Sequence, residues 1–211
     1  MPGKGGALKG TLRALLVLIV GISAIGGVLV YTIVRRGLSA HDEPSVVESM
    51  MARTMRRLAT PQAVRTQRNP LQPTDAVVEQ ALEHYADHCA ACHANDGSGD
   101  TEIGRGLYPK VPDMRVAETQ SLSDGELFSI IEHGIRLTGM PAWGTGTPEG
   151  ERDSWGLVHF IRRLSTLSDE DIERMEALNP KTPAQLKEEE EARRFLEGDS
   201  STPTPEKAQQ D

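Results

Sequence analysis

Residues 14–34, ALLVLIVGISAIGGVLVYTIV, contain no charged side chain. A run of this length and composition leaves little choice of structure. At ~1.5 Å of rise per residue a helix of 21 residues spans ~31 Å, the thickness of a bilayer's hydrocarbon core. Arg13 bounds the run on one side, and Arg35 and Arg36 bound it on the other. Tyr31 stands near one end, where an interfacial ring is favoured. A cleaved leader would have a shorter apolar region of ~7–15 residues and a small-x-small site behind it. The nearest such site ends at Ala40 and has Leu38 where a small residue is needed. The run is therefore expected to be a retained transmembrane anchor, with residues 1–13 as a short segment before it. Lys4, Lys9 and Arg13 balance Arg35 and Arg36, so flanking charge does not orient the anchor.

Residues 35–74 read as a stalk and linker. Val47, Met50, Met51, Met55 and Leu58 recur at helical spacing, with Pro44 suited to a first turn. Arg53, Arg56 and Arg57 occupy the rest of that surface, which fits either an amphipathic helix on lipid headgroups or a plain helical stalk. Pro61, Pro70 and Pro73 then punctuate a polar, semi-extended stretch that ends at Thr74, a helix N-cap residue.

The next segment carries the chemistry. CAACH, residues 89–93, holds the chain's 2 cysteines, with His93 directly behind the second. Redox-active dithiols share this spacing but accompany a βαβ pattern, and no run of β-branched strands is present. A zinc site needs four ligands, and no second Cys/His pair at the usual spacing follows. A buried structural cysteine pair has no use for the histidine. Covalent attachment of a c-type haem remains, and C-x-x-C-H is its signature. Residues three and four apart share one helix face. Cys89 and Cys92 can each form a thioether to one haem vinyl group, and His93 can present a ring nitrogen to the iron. DAVVEQALEHYADH, before the motif, is helical in pattern. ANDGSGDTEIGRG, after it, is a glycine-rich loop free to wrap a flat ligand. Aromatic residues make up only 4 % of the chain, and a porphyrin would supply the missing apolar body.

A second axial ligand is expected from LTGMPAWG, residues 137–144. Met140 lies on a loop between Gly139 and Pro141, and a thioether paired with histidine gives a high-potential electron-transfer haem. Other residues fit the role less well. Met114 suits packing. Met50, Met51 and Met55 precede the domain and Met175 follows it. His84 and His88 share the attachment helix, His133 sits at a helix end before Gly134, and His159 reads as a surface or satisfied histidine.

Taken together, residues 75–166 resemble a class I cytochrome c domain, the short single-haem type of bacterial respiratory chains. Tyr85 precedes CAACH where that family has an aromatic. GLYPKVPDM resembles its Gly/Pro-rich stretch, in which a proline (Pro109 or Pro112 here) lies against the proximal histidine. LSDGELFSIIEHGIRLTGMPAW resembles its helix, glycine and methionine-loop unit, and WGLVHFIRRL resembles its last helix, with Trp155 and Phe160 at the aromatic positions. Two departures stand out. Ala94 follows the motif where the family has glycine, and Ala81 replaces a glycine of the first helix, which predicts a slightly wider crossing of the first and last helices.

The resemblance implies an all-α domain around one covalently attached haem c, preceded by one transmembrane helix. It implies iron ligated by His93 and Met140 and anchored by Cys89 and Cys92, and an electron-transfer protein rather than an enzyme. Because c-type haem is attached outside the cytoplasmic membrane, the domain is expected on the periplasmic side. Its partners would be redox proteins, in the main membrane respiratory complexes, with lipid around the anchor and no small-molecule substrate. The roughly forty residues of linker favour a tethered carrier over a subunit fixed in an oxidoreductase or terminal oxidase complex.

Charge excludes nucleic acid as a partner. Residues 1–74 carry 10 Lys/Arg against 3 Asp/Glu, residues 75–166 carry 7 against 15, and residues 167–211 carry 6 against 13. The domain itself is acidic and calls for basic docking surfaces on its partners. Residues 167–211 lie outside the resemblance. A helix capped by Ser168, a second capped by Thr182 and stopped by Gly198, and a disordered terminus from 198 onward are expected there.

Overall fold

The computed structural model describes residues 4–37, 39–181 and 183–196. Among them the regular structure is entirely helical. The elements are α1 (Lys4–Arg36), α2 (Val46–Ala59), α3 (Gln62–Arg65), α4 (Asp75–His84), a π turn (Tyr85–Cys89) and α5 (Ala90–His93). They continue with α6 (Glu102–Gly106), α7 (Ala117–Gln120), α8 (Asp124–His133), α9 (Pro148–Arg163), a 3-10 turn (Leu164–Thr166), α10 (Asp169–Leu178) and α11 (Pro183–Leu196).

Helix α1 starts at Lys4, well before the uncharged run, and its Lys9–Arg35 stretch is long and apolar enough to cross a membrane. Its large apolar side chains from Leu12 to Val34 are exposed. No other described residue covers them, which fits a helix solvated by lipid. Pro44 is not in the first turn of α2: the helix starts at Val46, two residues later, because Ser45 is the N-cap and closes a capping box with Glu48.

The domain is built on the crossing of α4 with α9. Thr74 caps α4 by accepting from the Val77 N–H. Ser123 and Glu126 form the capping box of α8, and Thr147 caps α9 with Pro148 in its first turn. Val78, Ala81, Leu82, Tyr85 and Ala86 from the first helix meet Trp155, Val158, Phe160 and Ile161 of α9, all buried. Leu127 and Ile131 of α8 close a third side. The Tyr85 and Phe160 rings are tilted against each other with centroids 4.9 Å apart, and Phe128 stacks on Trp155 at 4.0 Å. Gly156 on α9 faces Ala81, and even a Cβ added to Gly156 would lie 3.5 Å from the Ala81 methyl, an ordinary contact. The crossing thus has room for a methyl group on each helix.

Two segments placed outside the domain by sequence are part of it. Residues 60–74 do not run free. The Val64 carbonyl lies where a Cβ on Gly125 would be, so α3 is seated on the start of α8. Asn69 donates to the Trp155 carbonyl (2.8 Å), and His159 Nε2 bonds the Leu71 carbonyl (2.9 Å), which makes His159 a satisfied histidine as expected. Met175 on α10 was expected beyond the domain, yet it is among its most deeply buried side chains. Ser168 and Asp171 cap α10 as a box. Arg174 pairs with Glu79 (3.1 Å), and the Asn179 amide, in the orientation that satisfies it, donates to the Ala86 carbonyl (2.9 Å). Helix α11 is exposed along its length and carries the acidic run, with Glu189 on Lys181 and Glu190 on Arg194. The expected cap Thr182, the stop at Gly198 and the terminus from 198 onward lie outside the described residues.

Removing most of the Met175 side chain should leave a cavity. Met175→Ala is expected to lower the stability of the domain by ~2–4 kcal/mol. The check is the urea midpoint at unchanged slope. A shift of a few tenths of a kcal/mol would mean α10 is not part of the cooperative unit.

Candidate haem site

The first helix does not stay α-helical to its end. The Ala90 N–H bonds the Tyr85 carbonyl, one residue further back than in an α-helix. On an uninterrupted α-helix, positions 78, 82, 85, 89, 92 and 93 would share one face. The wider turn shifts the phase. Val78, Leu82 and Tyr85 remain buried and Ala90 joins them, while Cys89, Cys92 and His93 are only half-buried. Cys89 still packs against the core, while Cys92 and His93 follow it half-buried at the end of the helix.

Both cysteines are free thiols, with no disulfide between them. Burial pushes the Cys89 thiol up to about 12, and Cys92 beside it adds to the shift. Burial also holds His93 down at about 4, so at neutral pH its ring is uncharged. His93 Nδ1 is buried and has no hydrogen-bond partner, so neither Pro109 nor Pro112 offers it a carbonyl. A neutral imidazole with an unmet ring nitrogen behind two reduced cysteines is a donor set that fits a c-type haem. Zinc fits less well: among the described residues no group of three or more His, Cys, Asp or Glu side chains could hold a metal ion.

The segment after His93 is tied down rather than loose. Tyr85 donates its hydroxyl to the Ala94 carbonyl (3.0 Å), and the Gly99 N–H bonds the His93 carbonyl (2.8 Å). Arg115 bridges Asp96 (2.7 Å) and Asp113 (2.8 Å), which fixes the loop to the 113–115 stretch. Gly97 and Gly99 both have positive φ, and a Cβ on either would strike Leu164 or the Val111 carbonyl. Ala94 also has positive φ (61°) with ψ 158°, a region that only glycine occupies at ease. This is the position where the sequence departs from glycine.

Met140 belongs to a loop folded back on the end of α8. Gly134 stops the helix at φ 62°, and a Cβ there would collide with the Met140 and Pro141 backbone. The Ile135 N–H bonds the Met140 carbonyl (3.1 Å), and the Met140 N–H bonds Thr138 Oγ1 (3.1 Å). Trp143 and Gly144 return to the Ile131 and Glu132 carbonyls. Gly139 abuts the Leu107 side chain, and the Trp143 ring meets His88 edge-on at 5.5 Å. The methionine loop thus touches the helix that carries Cys89, Cys92 and His93 through Trp143 on His88, and Met140 on that loop is half-buried. His84 lies against His88 (4.8 Å), and its pKa is lowered by burial first and by that neighbour second.

Residues 76–161 match the family model described as cytochrome c oxidase, cbb3-type, subunit III. This segment is a class I-like cytochrome c domain. The function that goes with the domain is haem-dependent electron transfer, and its cofactor is haem c. Among solved structures, a chain of the reducing HAO-like protein complex of Kuenenia stuttgartiensis is similar at 23 % identity and a TM-score of 0.39. That similarity covers 45 % of this chain and 46 % of the other, so this chain spans less than half of that neighbour's length. No curated protein matches the chain.

One feature of the cytochrome c domain had no advance signal. Glu132 is a buried carboxylate whose Oε1 has no partner, beside Gly144 of the methionine loop. Sequence periodicity places it as an ordinary helix residue. Met114, by contrast, is buried in keeping with the packing role expected of it.

Ala94→Gly should relieve the backbone at that position and raise stability by about 1 kcal/mol, since a non-glycine residue held there costs about 1–3 kcal/mol and glycine returns part of that as unfolded-state entropy. Thermal unfolding of the two proteins under identical conditions checks it. A lower midpoint for the glycine variant would show that Ala94 is unstrained.

Proposed function

We propose that the chain is a membrane-anchored, single-haem c-type cytochrome that passes one electron at a time between redox proteins. In this reading Cys89 and Cys92 hold the haem by two thioether bonds, and His93 and Met140 are the axial ligands. The iron supplies a one-electron ferric/ferrous couple. The observation that carries the proposal is the half-buried, neutral His93, whose buried Nδ1 is unmet, directly behind two unpaired thiols.

The residues divide the work. The crossing of α4 with α9 fixes the start of the attachment helix, so the thiols and the imidazole move as one unit. The hydrogen bonds on both sides of Met140 set where its sulfur can reach. Trp143 and the apolar wall of Leu127, Ile131 and Phe160 keep water from the interior. The acidic surface would favour basic faces on donor and acceptor. Attachment of c-type haem outside the cytoplasmic membrane would place the domain on the periplasmic side, with α1 as a single-pass anchor.

One observation favours a second reading, a haem subunit fixed in a larger membrane oxidoreductase or oxidase. The forty-residue linker that favours a swinging carrier is mostly not free. Residues 62–71 sit on the domain, and α2 touches it through Arg53 on Glu118 and Glu48 on Tyr108. Only residues 37–45 connect α1 to that assembly. The matched family is itself described as an oxidase subunit. Mild solubilisation separates the two: a carrier is purified alone, a subunit with stoichiometric partners.

The ligand set is tested by the visible spectrum of the oxidised and reduced protein and of Met140→Ala. The oxidised parent is expected to show the weak long-wavelength sulfur-to-iron band, and the variant to lose it and bind carbon monoxide when reduced. A parent without the band that binds carbon monoxide readily has an open iron site and is no electron carrier of this kind.

A further inference from the structure

Helix α2 turns its faces the wrong way round for a water-soluble surface. At ~100° per residue, Val47, Met51, Thr54 and Leu58 lie within an arc of ~60°. Their apolar members are 58 %, 56 % and 81 % exposed. The polar residues lie on the far side and face the haem domain. Glu48 accepts from the Tyr108 hydroxyl (3.1 Å), Arg53 pairs with Glu118, and Ser49 and Arg56 are half-buried. A helix that packs on a domain from water does the reverse, burying its apolar stripe. Here polar contacts hold the helix to the domain, and the apolar stripe points away from it.

The position of α2 in the chain indicates what covers that stripe. Residues 37–45 alone separate it from α1, and nine residues at ~3.3–3.6 Å each reach no further than ~30 Å even when fully extended. Lys110 also bonds the Ala40 carbonyl (2.8 Å), so part of that length is held on the domain. Arg57, exposed at the rim of the stripe, is placed to reach headgroup phosphates while its stem lies on apolar surface.

We propose that α2 lies in the headgroup boundary of the bilayer that α1 enters, with Val47, Met51 and Leu58 in the acyl region. Its polar face then carries the haem domain. The tether is an oriented platform that presents one side of the domain to the membrane at Tyr108, Lys110 and Glu118. This rests on α1 being a membrane anchor and does not depend on the ligands of the haem.

The test uses the full chain, haem-loaded, in vesicles of phosphatidylcholine with one-third phosphatidylglycerol. Single cysteines replace Met51, Leu58 and, as the polar-side control, Ala52, and each takes a nitroxide label. The parent is treated in parallel. If it takes label, Cys89 or Cys92 is unattached and the haem reading fails separately. Collisions of the label with oxygen and with a water-soluble nickel complex are then compared. At Met51 and Leu58 the ratio of oxygen to nickel collisions should be several-fold higher than at Ala52. Equal nickel access at all three positions would put the stripe in water and overturn the proposal. Loss of both oxygen and nickel access at Met51 and Leu58 would mean a protein covers the stripe, and would overturn it as well. Flotation of the parent with the vesicles is read first, because a chain that does not float loses both its anchor and this proposal.

Discussion

The contact between the first helix and α9 is the constraint on which the site depends. Ala81 meets Gly156, and Tyr85 meets Phe160 one turn further on. Two small residues face each other at the crossing, and two rings pack against each other one turn beyond them. Tyr85 does more than pack. Its hydroxyl reaches past the cysteines to the Ala94 carbonyl, so the helix end and the start of the following loop are set from within the core. The π turn that begins at Tyr85 completes the arrangement. Without its phase shift the residues of CAACH would compete with Val78 and Leu82 for the same buried face. With it, Val78, Leu82, Tyr85 and Ala90 are buried while Cys92 and His93 stay half-buried.

The opposite border of the site is held by backbone rather than by side-chain packing. Gly134 turns the chain where no side chain fits, and the loop through Met140 closes on the last carbonyls of α8. Arg162 secures the other end of α8, since its guanidinium spans Asp124 and the Gln120 and Leu122 carbonyls. Helix α8 is thus pinned at both termini. A methionine presented by such a loop has little freedom to drift, as the axial role proposed for Met140 would require.

Much of this was legible in the chain because it is local. Thr74, Ser123, Thr147 and Ser168 announce helix starts through their side-chain chemistry, and the structure places the caps there. Leu157, Phe160, Ile161 and Leu164 announce a buried face by spacing alone, and all four are buried. What escaped is tertiary. Nothing near Met175 distinguishes a methionine that plugs the domain from one in a solvated helix, because its partners lie some ninety residues earlier in the chain. Pro61, Pro70 and Pro73 read as an extended linker, and the segment is indeed largely irregular. Its docking depends on single hydrogen bonds to α9, which no periodicity records. The π turn leaves no compositional trace either. CAACH stands out in the sequence because the haem attachment proposed for it would demand fixed spacing, which a sequence shows directly and packing partners do not.

The charge pattern and the docked segments bear on one question, how far the haem domain can travel from the membrane. A basic front and an acidic domain attract each other, and Arg53 on Glu118 is one point where that attraction is realised. An exposed ion pair of this kind contributes little by itself. Several weak contacts on a short tether act differently, because the tether keeps their effective concentration high and each contact made lowers the cost of the next. The domain would then stay close to its anchor without one strong interface. Release would require the loss of all these contacts together, and the salt that screens them would also weaken docking of basic partners to the acidic surface. Mobility of the domain and affinity for its partners would therefore depend on ionic strength in opposite senses. That coupling follows from placing opposite charges on the two sides of one short connector.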